Sequence, residues 1–135
     1  MAAVTGTVVG AKPLANSGDV VVATWAHMTL EDVAPGGAGA EDVNDVGAAF
    51  SGYDDYSDRT VQFFGTFTTA TVLLEGSLDG GTTWATLTDP QGNALSKVAA
   101  TMENVQELTP LVRPRLTGAN FTTDITVVLY ARKAT

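Results

Sequence analysis

The sequence predicts an all-β protein: an antiparallel β-sandwich, jelly-roll-like, of about eight strands with a long acidic loop. Three observations lead there. Apolar residues alternate with a period of two over short runs, as in Val61, Phe63 and Phe67 and again in Val72 and Leu74. That is the spacing of pleated strands with one buried face. Turn residues such as Asp79-Gly80-Gly81 and Asp89-Pro90-Gln91-Gly92-Asn93 punctuate these runs at short intervals. Only 16% of the chain is charged while 44% is apolar, with many Thr, Val, Gly and Ala, a balance that suits a sandwich better than a helical bundle.

The elements follow in chain order. Residues 1–18 are small and irregular, with Pro13 and Gly18 as breaks, and read as an N-terminal arm or edge strand. Residues 19–135 read as a single β-sandwich domain, a length able to enclose its own core. Its first strand is Asp19 to Met28, with Val21, Ala23, Trp25 and His27 on one face and Val20, Val22 and Thr24 on the other. Residues 31–58 read as an acidic loop insertion around Pro35-Gly36-Gly37; connections of this length are usually functional or partly mobile.

Three strands are expected between Arg59 and Pro90, with Thr71, Leu73 and Glu75 on the face opposite Val72 and Leu74. Trp25, Phe63, Phe67 and Trp84 are the expected core anchors, Trp84 lying under the Gly80-Gly81 turn. A short strand runs from Ala94 to Ala99. Thr101 to Leu108 fits a helical turn or an edge strand, and the β-rich context favours the strand. Pro114 interrupts Leu111 to Thr117, which places that strand at an edge or a bulge because proline donates nothing to a ladder. Asp124 to Lys133 closes the sheet with Ile125, Val127 and Leu129 inward.

Composition bounds function as well. Seven basic residues against fifteen acidic ones give a net charge of −8, which argues against nucleic acid as a partner. There is no cysteine, so disulfides and thiolate metal sites are excluded. No apolar run of membrane-spanning length occurs, and the first residues, Met1 to Gly6, have neither the basic nor the apolar region of a signal peptide. The acids Glu31, Asp32, Glu41, Asp42, Asp45, Asp54, Asp55 and Asp58 fall in one interval without a base, while Arg113, Arg115, Arg132 and Lys133 lie near the C-terminus. Such asymmetry orients partners or belongs to a solvated, solubilising loop.

Residues able to do chemistry are few. His27 is the only histidine; without a nucleophile-elbow motif it reads as a sheet-face residue, not a triad member. The groups Glu41-Asp42-Asp45 and Asp54-Asp55-Asp58 do not have the spacing of a calcium loop. No catalytic residue, cofactor or metal is therefore expected. Arg113 and Arg115, two apart, project from one face of one strand as a solvated pair or as anchors for a carboxylate-bearing partner. With Asp54, Asp55, Asp58, Tyr53 and Tyr56 they are the interface candidates.

The segments D-R-T-V-Q-F-F-G-T-F, T-V-L-L-E-G-S-L-D-G-G-T-T-W-A-T-L-T-D-P-Q-G-N-A-L, V-R-P-R-L-T-G and T-T-D-I-T-V-V-L-Y-A-R, with V-V-A-T-W-A-H-M upstream, resemble small virion proteins of tailed bacteriophages that decorate or cement the capsid. The resemblance covers more than half of the chain and omits residues 31–57. It implies a jelly-roll without catalytic residues, made in the host cytoplasm and located on the outer surface of the capsid. It further implies the major capsid protein as partner and a homo-oligomer, dimer or trimer. The pieces L-L-E-G-S-L-D-G-G-T-T-W and V-R-P-R-L are also similar to discoidin-type jelly-rolls, which implies the alternative of a carbohydrate-binding module on a virion or cell surface.

Overall fold

A computed structural model describes residues 8–9, 20–31, 43–44, 46–51 and 56–133. The strands are β1 (Val8–Val9), β2 (Val20–Met28), β3 (Leu30–Glu31), β4 (Val43–Asn44), β5 (Val46–Gly47), β6 (Asp58–Thr66), β7 (Thr71–Ser77), β8 (Ala85–Thr86), β9 (Ser96–Lys97), β10 (Thr101–Asn104), β11 (Leu111–Thr117) and β12 (Asp124–Arg132).

Their pairing is nested. β7 pairs with β8 and β9, β6 with β10, β5 with β11, and β2 with β12, all antiparallel. Each pair encloses the previous one in sequence, as in one long hairpin. β12 also pairs with β6, and β11 with β7, which rolls that hairpin into two sheets. One has the order β10-β6-β12-β2; the other has β1-β5-β11-β7-β8, with β9 also on β7. The result is an antiparallel β-sandwich with jelly-roll wrapping. β1 joins the larger sheet parallel to β5.

The core lies between the sheets. Val61 and Phe63 of β6, Ile125, Val127 and Leu129 of β12, and Ala23, Trp25 and Met28 of β2 meet Val72, Leu74, Val112 and Leu116 of the facing sheet. Trp25, Phe63 and Phe67 are buried, as the alternation requires. The Trp25 indole Nε1 donates to the Ala48 carbonyl at 2.9 Å, and Phe50 meets its ring edge-on at 6.3 Å.

Four expectations are corrected. The first concerns β2. Its register against β12 shifts between Ile125 and Val127, so Ala26 and His27 oppose Thr126 alone. This is a β-bulge, with His27 at φ 59°. The extra residue turns His27 outward and brings both Trp25 and Met28 into the core, so Trp25 and His27 do not share a face.

The second concerns Pro114. Its strand is interior, between β5 and β7, not at an edge. The Leu74 N–H and C=O, opposite Pro114, are engaged on the far side with Leu95 and Leu87. Pro114 is therefore not called upon as a donor to β7. On its other side Val112 exchanges both backbone bonds with Phe50, and the Pro114 ring fills the space against Gly47. A Cβ on Gly47 would stand 2.5 Å from Pro114 Cδ, so only glycine fits.

The third concerns the acidic interval. β3 pairs with β4, β5 lies between β1 and β11, and Phe50 bridges Val112. Within 31–58, β5 and the Phe50 bridge thus belong to the sandwich while β3 and β4 form a separate two-stranded sheet, so the described part of the stretch is not all loop. Thr101 to Leu108 is strand only over Thr101–Asn104. The fourth correction, the place of Trp84, belongs to the site.

Candidate functional site

On the outer face of the larger sheet, β7 and β11 run side by side with Arg113 opposite Glu75 and Arg115 opposite Leu73. The alternation that sends Val112, Pro114 and Leu116 inward sends both arginines outward. Arg113 Nε donates to Glu75 Oε1 at 3.1 Å and Arg115 Nε to Glu75 Oε2 at 2.9 Å. The Glu75 side chain is 6% exposed, those of Arg113 and Arg115 25% and 37%. One carboxylate, both oxygens occupied, therefore serves two guanidinium groups, and the cluster carries one excess positive charge in a chain of net charge −8.

Trp84 completes the cluster. The Arg113 guanidinium carbon lies 4.0 Å from the centre of its ring, and the indole Nε1 donates to the Gly81 carbonyl at 2.9 Å. Trp84 is half-buried on this outer face and is not a core anchor. The turn before it explains why. Asp79 Oδ1 accepts from the backbone N–H groups of Thr82 and Thr83, and the Gly81 N–H donates to the Ser77 hydroxyl. These bonds wind residues 77–83 into a tight loop, so β8 begins only at Ala85. The Thr83 N–H bond, with the Thr83 and Ser77 hydroxyls, holds the Asp79 carboxyl down at about 2.

A second site lies at the open end of the smaller sheet. Ser57, Asp58, Arg59, Thr60, Pro90, Asn104, Val105, Gln106 and Arg132 line a cleft of about 440 Å³. A shallower groove of about 330 Å³ continues it past Gln91, Met102 and Glu103, sharing Thr60, Pro90 and Asn104. Arg59 forms the floor. Its parity with Val61 and Phe63 sends it inward, where it is buried. Nη1 donates to the carbonyls of Tyr56 and Ser57, and Nη2 to those of Val105 and Gln106. Its Nε is buried without a partner. On the rim, Arg132 Nη2 donates to Asp58 Oδ2 at 2.9 Å, and the Thr60 hydroxyl donates to Asn104 Oδ1 at 3.2 Å.

The interface candidates separate. Arg113 and Arg115 come together on Glu75. Asp58 stands on the opposite sheet, paired with Arg132. Tyr56 packs partly against the core, with Lys133 Nζ 5.5 Å from its ring centre. Tyr53, Asp54 and Asp55 lie outside the described residues. His27 is exposed, with Nδ1 3.0 Å from Asp124 Oδ1. Among the described residues no three His, Cys, Asp or Glu side chains stand together as a metal site would need. Compared with protein-family models, with curated proteins and with solved structures, the chain finds no match in any of the three.

Two residues that matter were not singled out from sequence. Glu75 was assigned only a face, because its partners lie far along the chain and depend on β-register. The role of Arg59 was legible in principle, since its parity with Val61 points it inward.

Proposed function

We propose that this protein is a non-enzymatic structural component of a tailed-bacteriophage virion. It decorates the outer surface of the capsid and cements neighbouring copies of the major capsid protein, itself as a homo-oligomer. The observation that carries the reading is the cluster of Arg113 and Arg115 around the single carboxylate of Glu75, beside Trp84. A guanidinium pair in charge excess, with an aromatic neighbour, is the composition of an interface anchor. In a chain so acidic it selects carboxylates on the shell or on another copy. The sequence resemblance and the jelly-roll wrapping point the same way.

The mechanism is linkage: a protein that binds only the expanded shell stabilises that shell by its binding free energy. The alternative, a carbohydrate-binding module using Trp84 as its platform, is disfavoured at that position because Arg113 covers one face of the ring.

The test compares particles with and without the protein. Particles lacking it should assemble but lose their genome at lower temperature or under milder osmotic shock; equal resistance overturns the reading. Replacing both arginines by Glu is a poor probe, because it would set three carboxylates together around the buried Glu75. The neutral triple variant Glu75→Gln, Arg113→Gln, Arg115→Gln removes the charge and leaves no buried ion unpaired. It should fold and fail to occupy the shell.

A further inference from the structure

We infer that the groove at the open end of the smaller sheet binds a neutral saccharide, with Tyr130 as its stacking platform. The inference goes beyond capsid attachment and uses the opposite face of the sandwich. Tyr130 lies directly across from Thr60 in the β12–β6 ladder, and Thr60 lines both parts of the groove. The tyrosine points outward and is 43% exposed. It stands next to the groove rather than in its lining, and alternates with Arg132, so it shares the outward face of β12 with the lining arginine that pairs with Asp58.

The lining selects the ligand class. The cleft of about 440 Å³ is the size of a small-molecule site. Among the described lining residues an anion finds no free cation. Arg59 spends its Nη groups on four carbonyl oxygens and keeps its unpaired Nε buried away from the surface, Arg132 is paired with Asp58, and the chain as a whole repels negative charge. An apolar ligand would desolvate hydroxyls and amides without replacing their bonds. The described lining offers donors and acceptors together: the Ser57 and Thr60 hydroxyls, the Asn104, Gln106 and Gln91 amides, and an Asp–Arg pair that can receive and give hydrogen bonds at adjacent oxygens. Sugar hydroxyls are donors and acceptors at once, and a pyranose presents an apolar C–H face to an aromatic ring. Tyr130, with an apolar ring and a polar tip, supplies that complement.

The test is an NMR titration of the uniformly ¹⁵N-labelled full chain with maltohexaose, cellohexaose and chitohexaose, each to about 10 mM, ten times the Kd of a millimolar site. At least one should move the amide resonances of Thr60, Asn104, Tyr130 and Arg132 in a saturable way. Tyr130→Ala and Asn104→Ala, both at exposed positions, should each weaken that binding about tenfold while leaving the denaturation midpoint unchanged. Absence of saturable shifts with all three sugars overturns the inference. So do shifts centred on Trp84, or binding that survives both substitutions.

Discussion

Arg115 Nε lies 2.9 Å from Glu75 Oε2, and that carboxylate, 6% exposed, has its other oxygen held by Arg113. The buried acid depends on two partially exposed bases, and each base can partly cover for loss of the other. Arg113→Ala and Arg115→Ala should therefore each cost little, about 1 kcal/mol. The double substitution strands a buried carboxylate and should cost more than the sum, on the order of 3 kcal/mol. Urea denaturation of the two singles and the double reads the coupling; simple additivity would show that Glu75 does not need either partner.

The two tryptophans should respond differently to truncation. Trp25 is wholly buried and bonds the Ala48 carbonyl, so Trp25→Ala should cost about 3–5 kcal/mol. Trp84 is half-buried on the outer face under Arg113, so Trp84→Ala should cost about 1–2 kcal/mol. Thermal melts of both variants decide this, and an equal loss would place Trp84 in the core after all.

The Asp79 turn links stability to pH. Hydrogen bonds from Thr83 first, then from Ser77 and Thr82, lower its pKa from the usual 3.8 to about 2. Asp89 is lowered in the same way, chiefly by the Asn93 N–H. A depressed folded-state pKa means that the unfolded chain takes up protons first. The stabilisation is complete above the unfolded value, near pH 4, and disappears as pH falls toward 2. Asp79→Asn lacks this contribution. Its stability deficit against the parent protein should be constant above pH 5 or so and shrink steadily below about pH 4. A deficit independent of pH down to 2 would show that the carboxylate is not what the turn uses.

Gly47 sits where a Cβ would meet Pro114 Cδ at 2.5 Å and Trp25 Cδ1 at 2.7 Å. Gly47→Ala should push β5 away from β11 and cost about 1–3 kcal/mol. Part of that loss should return in the Pro114→Ala background, because the ring is what the new methyl strikes. A chemical-denaturation cycle of the two substitutions measures the coupling, and a coupling of zero would refute the steric account.

How far the molecule could be read from its sequence follows from the range of the interactions concerned. Period-two alternation, turn residues and composition are local, and they determined the all-β class, the inward set Val61, Phe63, Val72, Leu74, Ile125, Val127 and Leu129, and the shared face of Arg113 and Arg115. Everything that depends on register between distant strands was decided by the tertiary structure. Arg113 meets Glu75, thirty-eight residues away, only because β11 pairs with β7 in one frame. His27 leaves the core because a bulge against β12 inserts one residue, and one residue inverts every face beyond it. Pro114 stays in an interior strand because its neighbours take their hydrogen bonds elsewhere. Trp84 lies outside because side-chain bonds from Ser77 and Asp79 lengthen the turn before β8. The groove beside Tyr130 gathers residues from three separate stretches, 57–60, 90–91 and 102–106, with Arg132 from a fourth, and no pattern local to any one of them marks it.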